Sequence, residues 1–325
     1  MTFGSVRGPL PPSMIVIRPF AGLGWKKIGR EGSVTYQSRS FTYQGERLVY
    51  DSYGQGDRLL VYLHGLLIDS EMNRGIAEAL AARGNRVILL DLLGHGRSGK
   101  PRHASAYRMD TYPSQVFALL DELGANEAVF GGMSLGANVS LFAAAQQPDR
   151  VRGIVLEMPV LERAVPFAAL LFAPLLMLVH YAQPLLGVTS ATLRRVPPTR
   201  FGPLNSFVHA ASLPPESMAA LLHGILVGPV SPTREQRSQI AVPALVLGHR
   251  NDLLHTFDDA VHLAKELPNA TLVRARSPLE LRLRPRRLTD VIAEFLEEIW
   301  ATPNEVKATP GPAEGNGEGE SDRAV

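Results

Sequence analysis

An α/β fold is predicted for this chain: a mostly parallel central sheet flanked by helices, with a helical segment inserted late in the sequence. Three observations predict it. Short apolar runs alternate with amphipathic, helix-spaced runs from about residue 59 to 160, and again from about residue 242. The short runs are apolar throughout, as strands covered on both faces require, rather than alternating. A glycine-flanked serine, Gly132-Met133-Ser134-Leu135-Gly136, falls at the junction between one such run and a helix.

The elements follow in order. "SRSFTYQGERLVYDSYG" reads as two strands with a turn at Gln44-Gly45. "RLLVYLHG" is a buried strand, "NRGIAEALAARGN" a helix ending at Gly84, and "RVILLDL" a second buried strand. "TYPSQVFALLDELG" is a helix ending at Gly124, "EAVFGG" a strand, "LGANVSLFAAAQQ" a helix and "VRGIVLEM" a strand. The alternation stops near Pro159 and resumes at "VPALVLGH". A helix around Asp258 to Leu267, a strand "ATLVRA" and a helix "RLTDVIAEFLEEIW" complete it. The expected organisation is an arm over 1–37, a core over 38–160 and 240–300, a proline-broken helical insertion over 161–239, and a tail over 301–325. The tail has almost no apolar content and is expected to be disordered. No internal repeat is present.

Composition narrows the function. Hydrophobic residues make up 45% of the 325 and charged residues 20%, enough for a sizeable core. A net charge of +2 does not argue for nucleic-acid binding. There are no cysteines, which excludes disulfides, cysteine zinc sites and thiol nucleophiles. The first thirty residues carry no secretory signal pattern, since the apolar run Met14 to Ile17 is short and ends at Arg18. A cytoplasmic location is expected, with no cofactor and no metal.

The pentapeptide around Ser134 has the G-x-S-x-G pattern, and the strand before it and the helix after it give the pattern weight. A serine there sits on a tight turn that lifts its hydroxyl above the sheet edge. The N–H of Leu135 is placed to stabilise a developing oxyanion. A chance serine in an ordinary strand–turn–helix would read the same way. Here the chain resembles the α/β-hydrolase family. "YLHGLL" is similar to that family's His-Gly element, here His64-Gly65, and the resemblance implies that the second oxyanion N–H belongs to Leu66. "DLLGHGRSGKP" is similar to its D-x-x-G-x-G-x-S loop through Asp91, Gly94, Gly96 and Ser98. "VPALVLGHRNDLL" resembles the strand that delivers the triad acid, implying that role for Asp252. The resemblance covers about residues 38–300 and implies a serine hydrolase of esterase or lipase type. The run Gly94 to Gly99 also reads G-x-G-x-x-G. It leads into Lys100-Pro101 rather than a helix, so it does not predict dinucleotide binding.

A serine hydroxyl needs a base. In the family resembled here, the base is a histidine some seventeen residues before the Phe-Leu of the last helix. Counting back from Phe295 gives Pro278, with no histidine on either side. The nine histidines are His64, His95, His103, His180, His209, His223, His249, His255 and His262, and none follows 262. His255, three residues after Asp252, is the first candidate to stand in. His180, His209 and His223 belong to the insertion and are candidates to overhang the serine. Glu280 lies near the vacant position, but neighbouring Arg276, Arg282 and Arg284 would hold its pKa down. Glu157, at the end of "IVLE", is an alternative acid, or a structural carboxylate capping backbone N–H groups.

Between Arg163 and Arg194 there is no Asp, Glu, Lys or Arg. The run is long enough to raise a transmembrane reading, but Pro166, Pro174 and Pro184 are expected to break it. A buried lid over the serine is expected instead, favouring a small hydrophobic substrate or ligand such as an ester of an acyl chain. Three functions stay open. The first is hydrolysis of a hydrophobic ester or related acyl compound by a degenerate triad. The second is non-catalytic small-molecule binding by a pseudo-hydrolase. The third is a lid-mediated interaction, including peripheral membrane contact.

Overall fold

The structure is a computed structural model, and it describes residues 36–199, 201–250 and 254–302. The tail beyond Thr302 and nearly all of the arm, up to residue 35, therefore lie outside the described residues. The arm's last two predicted residues, Tyr36 and Gln37, already belong to a strand.

Eight strands form one sheet: β1 (Tyr36–Tyr43), β2 (Glu46–Tyr53), β3 (Leu59–Leu63), β4 (Arg86–Asp91), β5 (Ala128–Met133), β6 (Val151–Glu157), β7 (Ala244–Gly248) and β8 (Ala270–Arg274). Their order is β1-β2-β4-β3-β5-β6-β7-β8. β2 pairs antiparallel with β1 and β4, and every other pairing is parallel. The Gln44-Gly45 turn forms as predicted, with both residues at positive φ. The parallel pairs need crossovers. These carry α1 (Arg74–Ala81), α2 (Pro113–Glu122) and α3 (Leu135–Gln146) between the early strands. The inserted helices α4 (Val165–Tyr181), α5 (Gln183–Leu193), α6 (Gly202–Ala211), α7 (Pro215–Val227) and α8 (Arg234–Ser238) all lie between β6 and β7. α9 (Phe257–Glu266), α10 (Glu280–Leu283) and α11 (Arg286–Ala301) complete the α-helices among the described residues.

Alternation along each central strand builds two cores. Leu59, Val61 and Leu63 of β3 face one core with α2, α3 and α9. Leu60 and Tyr62 face the other with α1 and α11. All five residues of β3, and all five of β7, are buried. The apolar runs therefore belong to strands covered on both faces.

The expectations for the insertion need correcting. The insertion's prolines break the run only once, at Ala182 just ahead of Pro184, and not at each proline as expected. Pro166 and Pro184 sit in the first turns of α4 and α5, where a missing N–H costs nothing. Pro174 lies inside α4, which runs on to Tyr181. The carbonyl that Pro174 deprives of a donor is that of Leu170, a residue 73% exposed. Nor is the run buried: of α4's residues only Val179 is, while Leu171, Leu178 and Tyr181 are exposed. The connection from β8 to α11 holds the one-turn helix α10.

Candidate active site

β5 ends at Met133 and α3 begins at Leu135, so the chain reverses at Ser134. Ser134 takes φ 52° and ψ −109°, a conformation that costs about 1–3 kcal/mol for a non-glycine residue. The turn is affordable only because its neighbours lack side chains. A Cβ on Gly132 would stand 2.7 Å from the Leu63 carbonyl oxygen, and one on Gly136 would stand 2.6 Å from it. The Ser134 N–H donates to the Glu157 carbonyl at 2.8 Å, and its carbonyl accepts from the Asn138 N–H at 3.0 Å. The backbone is thus pinned from β6 and from α3.

The connection from β7 to α9 supplies the partner. Thr256 caps α9, its Oγ1 accepting from the Asp259 N–H at 3.3 Å. His255 immediately precedes that cap, and its Nε2 lies 2.9 Å from Ser134 Oγ. With Nε2 accepting the serine proton, the ring proton sits on Nδ1. His249 is buried, and its ring meets that of His255 edge-on at 6.5 Å between centroids. Asp252 lies outside the described residues.

Both side chains open into a cavity of about 430 Å³. Its floor carries Gly65, Leu66, Ser134, Leu135 and His255. Its walls include Val165, Ala168, Ala169 and Phe172 of α4, Phe207 of α6, and Ile225 and Leu226 of α7. Leu66 and Leu135 therefore flank the serine. Leu135 is the first residue of α3, so its N–H has no carbonyl one turn back within the helix. Pro278 and Leu279 line the same cavity. The vacant histidine position is thus wall, and the imidazole reaches the serine from the neighbouring loop.

The two alternative carboxylates are committed elsewhere. Glu157 is buried and accepts from Tyr62 Oη at 2.7 Å and from Arg282 Nη1; Arg282 Nη2 donates to Asn73 Oδ1 at 2.8 Å. The expectation that Glu157 caps backbone N–H groups is corrected: its side chain partners a phenol and a guanidinium. Burial opposes the charge on Arg282, yet the Glu157 carboxylate holds its pKa above the ordinary value. Burial alone pushes the Tyr62 phenol well up, and the neighbouring carboxylate adds to it. Glu280 accepts from the Arg276 N–H and from the Arg287 guanidinium at 2.7 Å. Burial works against the Glu280 charge, but Arg287 and Arg276 together outweigh it and hold the pKa below the ordinary value. Of the arginines expected to do this, Arg282 faces Glu157 instead.

The remaining histidines divide by environment. His64 accepts from the Leu92 N–H at Nε2 (3.0 Å) and donates from Nδ1 to the Gly65 carbonyl (2.9 Å), fixing the loop that carries Leu66. Burial lowers its pKa, and lowers that of His95, whose ring is tilted against it at 4.6 Å between centroids, well below the ordinary value. His209 on α6 does not overhang the serine. It meets the buried Asp69 carboxylate at 2.5 Å, a bond that raises its pKa despite partial burial. His180 and His223 are exposed, and His262 bonds the Asp258 carbonyl at 2.6 Å. The G-x-G-x-x-G run is an architectural loop. Asp91 receives the Ser70 N–H at 2.9 Å and the Arg97 guanidinium at 2.8 Å, while Ser98 Oγ donates to the Asp91 carbonyl.

A family model described as the alpha/beta hydrolase fold matches residues 58–277, more than half of the sequence. The chain belongs to the α/β-hydrolase family. Among its relatives, the sn-1-specific diacylglycerol lipase ABHD11 of Danio rerio is 32% identical over 147 residues, 44% of each chain. Epoxide hydrolase B of Mycobacterium tuberculosis is 39% identical over 97 residues, 30% of this chain and 27% of that one. The chain thus spans less than half the length of these curated relatives. The enol-lactonase of Burkholderia xenovorans LB400 superposes with a TM-score of 0.64 at 23% identity, covering 80% of this chain and 100% of that one. At that identity it shows the shared fold.

Proposed function

We propose that the protein is a serine hydrolase that cleaves hydrophobic carboxylic esters or related acyl compounds. The observation that carries this reading is the 2.9 Å approach of His255 Nε2 to Ser134 Oγ on the floor of an apolar cavity. Ser134 attacks the acyl carbon while His255 takes its proton. The N–H groups of Leu66 and Leu135 receive the oxyanion. His255 then gives its proton to the departing alcohol, and water admitted in its place is deprotonated by His255 to release the acid and regenerate Ser134. Asp252, three residues before His255 in the sequence, is the orienting acid in this reading. The aliphatic and aromatic walls supply binding for an acyl chain.

Labelling by a fluorophosphonate probe tests it. Wild type is labelled at Ser134, and Ser134→Ala is not. The competing reading, a ligand-binding pseudo-hydrolase, starts from Pro278 in the usual histidine position. Absence of labelling, with no turnover of short or long p-nitrophenyl esters, would select it.

A further inference from the structure

We infer that the outward face of α4 and α5 docks on an anionic lipid surface, with the cavity mouth turned toward the bilayer. The stretch Glu162–Tyr181 has a mean hydropathy of 1.9, yet only 11% of its most apolar window is buried in the fold. α4 is apolar on two faces. Val165, Ala168, Ala169 and Phe172, spaced as one helix face, line the cavity. Leu171 (57% exposed), Leu178 (55%) and Tyr181 (75%) point to solvent, and Leu185 (70%) and Val188 (68%) extend that surface onto α5. A soluble monomer rarely leaves so many neighbouring large apolar side chains in water.

Lipid is the occupant that fits the charges. No acidic side chain interrupts the run between Arg163 and Arg194, and Arg194 and the exposed Arg195 close it, as an apolar patch with a basic edge requires beside anionic headgroups. The apolar surface is also continuous with the cavity. Val165, Phe207 and Leu279 line the cavity and are themselves 43%, 60% and 52% exposed, so its rim is apolar. α4 lies on the surface in this arrangement and does not cross it, because its other face is a wall of the folded domain. Docking does not depend on the proposed chemistry, but it bears on it: an acyl chain would pass from bilayer to cavity without crossing water.

The test is sedimentation of the full chain, as wild type and as Ser134→Ala, with vesicles of phosphatidylcholine alone or mixed with phosphatidylglycerol. Both proteins are expected to bind, more tightly to the anionic vesicles. Leu171→Ser/Leu178→Ser/Leu185→Ser should weaken binding at least ~tenfold with the melting temperature unchanged, and Arg195→Glu should weaken it roughly fivefold or more on anionic vesicles only. Failure of the wild type to bind either vesicle, or undiminished binding by the triple variant, overturns the inference. So does light scattering that finds a dimer which the triple variant dissociates, since a second copy would then cover the face. Loss of fluorophosphonate labelling with vesicle binding retained would remove the hydrolase reading and leave this one standing.

Discussion

His255 Nε2 lies 2.9 Å from Ser134 Oγ, although 121 positions separate the two residues. The contact joins the turn after β5 to the residue preceding the Thr256 cap of α9. It is therefore set by sheet order and by helix capping together.

If this pair performs proton transfer, Ser134→Ala and His255→Ala each lower kcat for p-nitrophenyl esters by about 10⁴–10⁶, with the double variant no worse than either single one. Pro278→His should leave kcat within ~tenfold of wild type, because an imidazole already stands at the serine. A large gain in that variant, with His255→Ala harmless, would move the base to the other loop.

Gly136→Ala places a Cβ about 2.6 Å from the Leu63 carbonyl oxygen, in backbone that cannot swing aside. A loss of about 1–3 kcal/mol in unfolding free energy is expected from denaturant titration. Fluorophosphonate labelling should fall as well, since the same displacement tilts Ser134.

The buried Glu157–Arg282 pair invites a double-mutant cycle. Glu157→Gln alone leaves a guanidinium without its countercharge, and Arg282→Met alone leaves a carboxylate; each should cost about 3–5 kcal/mol. Both side chains are nearly inaccessible, at 6% and 4%. Combining the two changes should recover much of the loss, so the coupling energy read from chemical denaturation is the quantity to measure.

His209 offers a pH signature. Its pKa is raised by the bond to Asp69, so the protonated imidazole is favoured by folding. The stabilisation is fully present below the ordinary histidine value near 6.5 and is lost as pH rises through the folded pKa. An NMR titration should find His209 above that ordinary value, and Asp69→Asn should bring it down. The stability difference between wild type and Asp69→Asn should be larger at pH 6 than at pH 8; a difference independent of pH would rule the linkage out.

Much of this was legible in the sequence, and the exceptions have physical causes. Uninterrupted apolar runs identified the central strands because both faces of β3 and β7 are covered. The glycines around Ser134 marked the turn because backbone there approaches backbone. The partner of Glu157 was not legible. Residues 280 and 282 are two apart on a helical turn and face different ways, so Arg282 reaches Glu157 while Glu280 takes Arg287. The Asp69–His209 contact joins the loop after β3 to an inserted helix, and no local pattern signals it. Pro174 misled for a related reason: a proline penalty is severe where the orphaned carbonyl is buried, and here that carbonyl belongs to an exposed stretch of α4.

Pro278 and Leu279 line the cavity wall, and that has a consequence for how such a site can change. On the proposed assignment, the connection after β8 carries no reacting group, and the one before α9 carries the base. Selectivity and reactivity then reside in separate segments of chain. The first can be resized, stiffened or made polar to admit different acyl groups, and the proton relay at Ser134 would be left undisturbed.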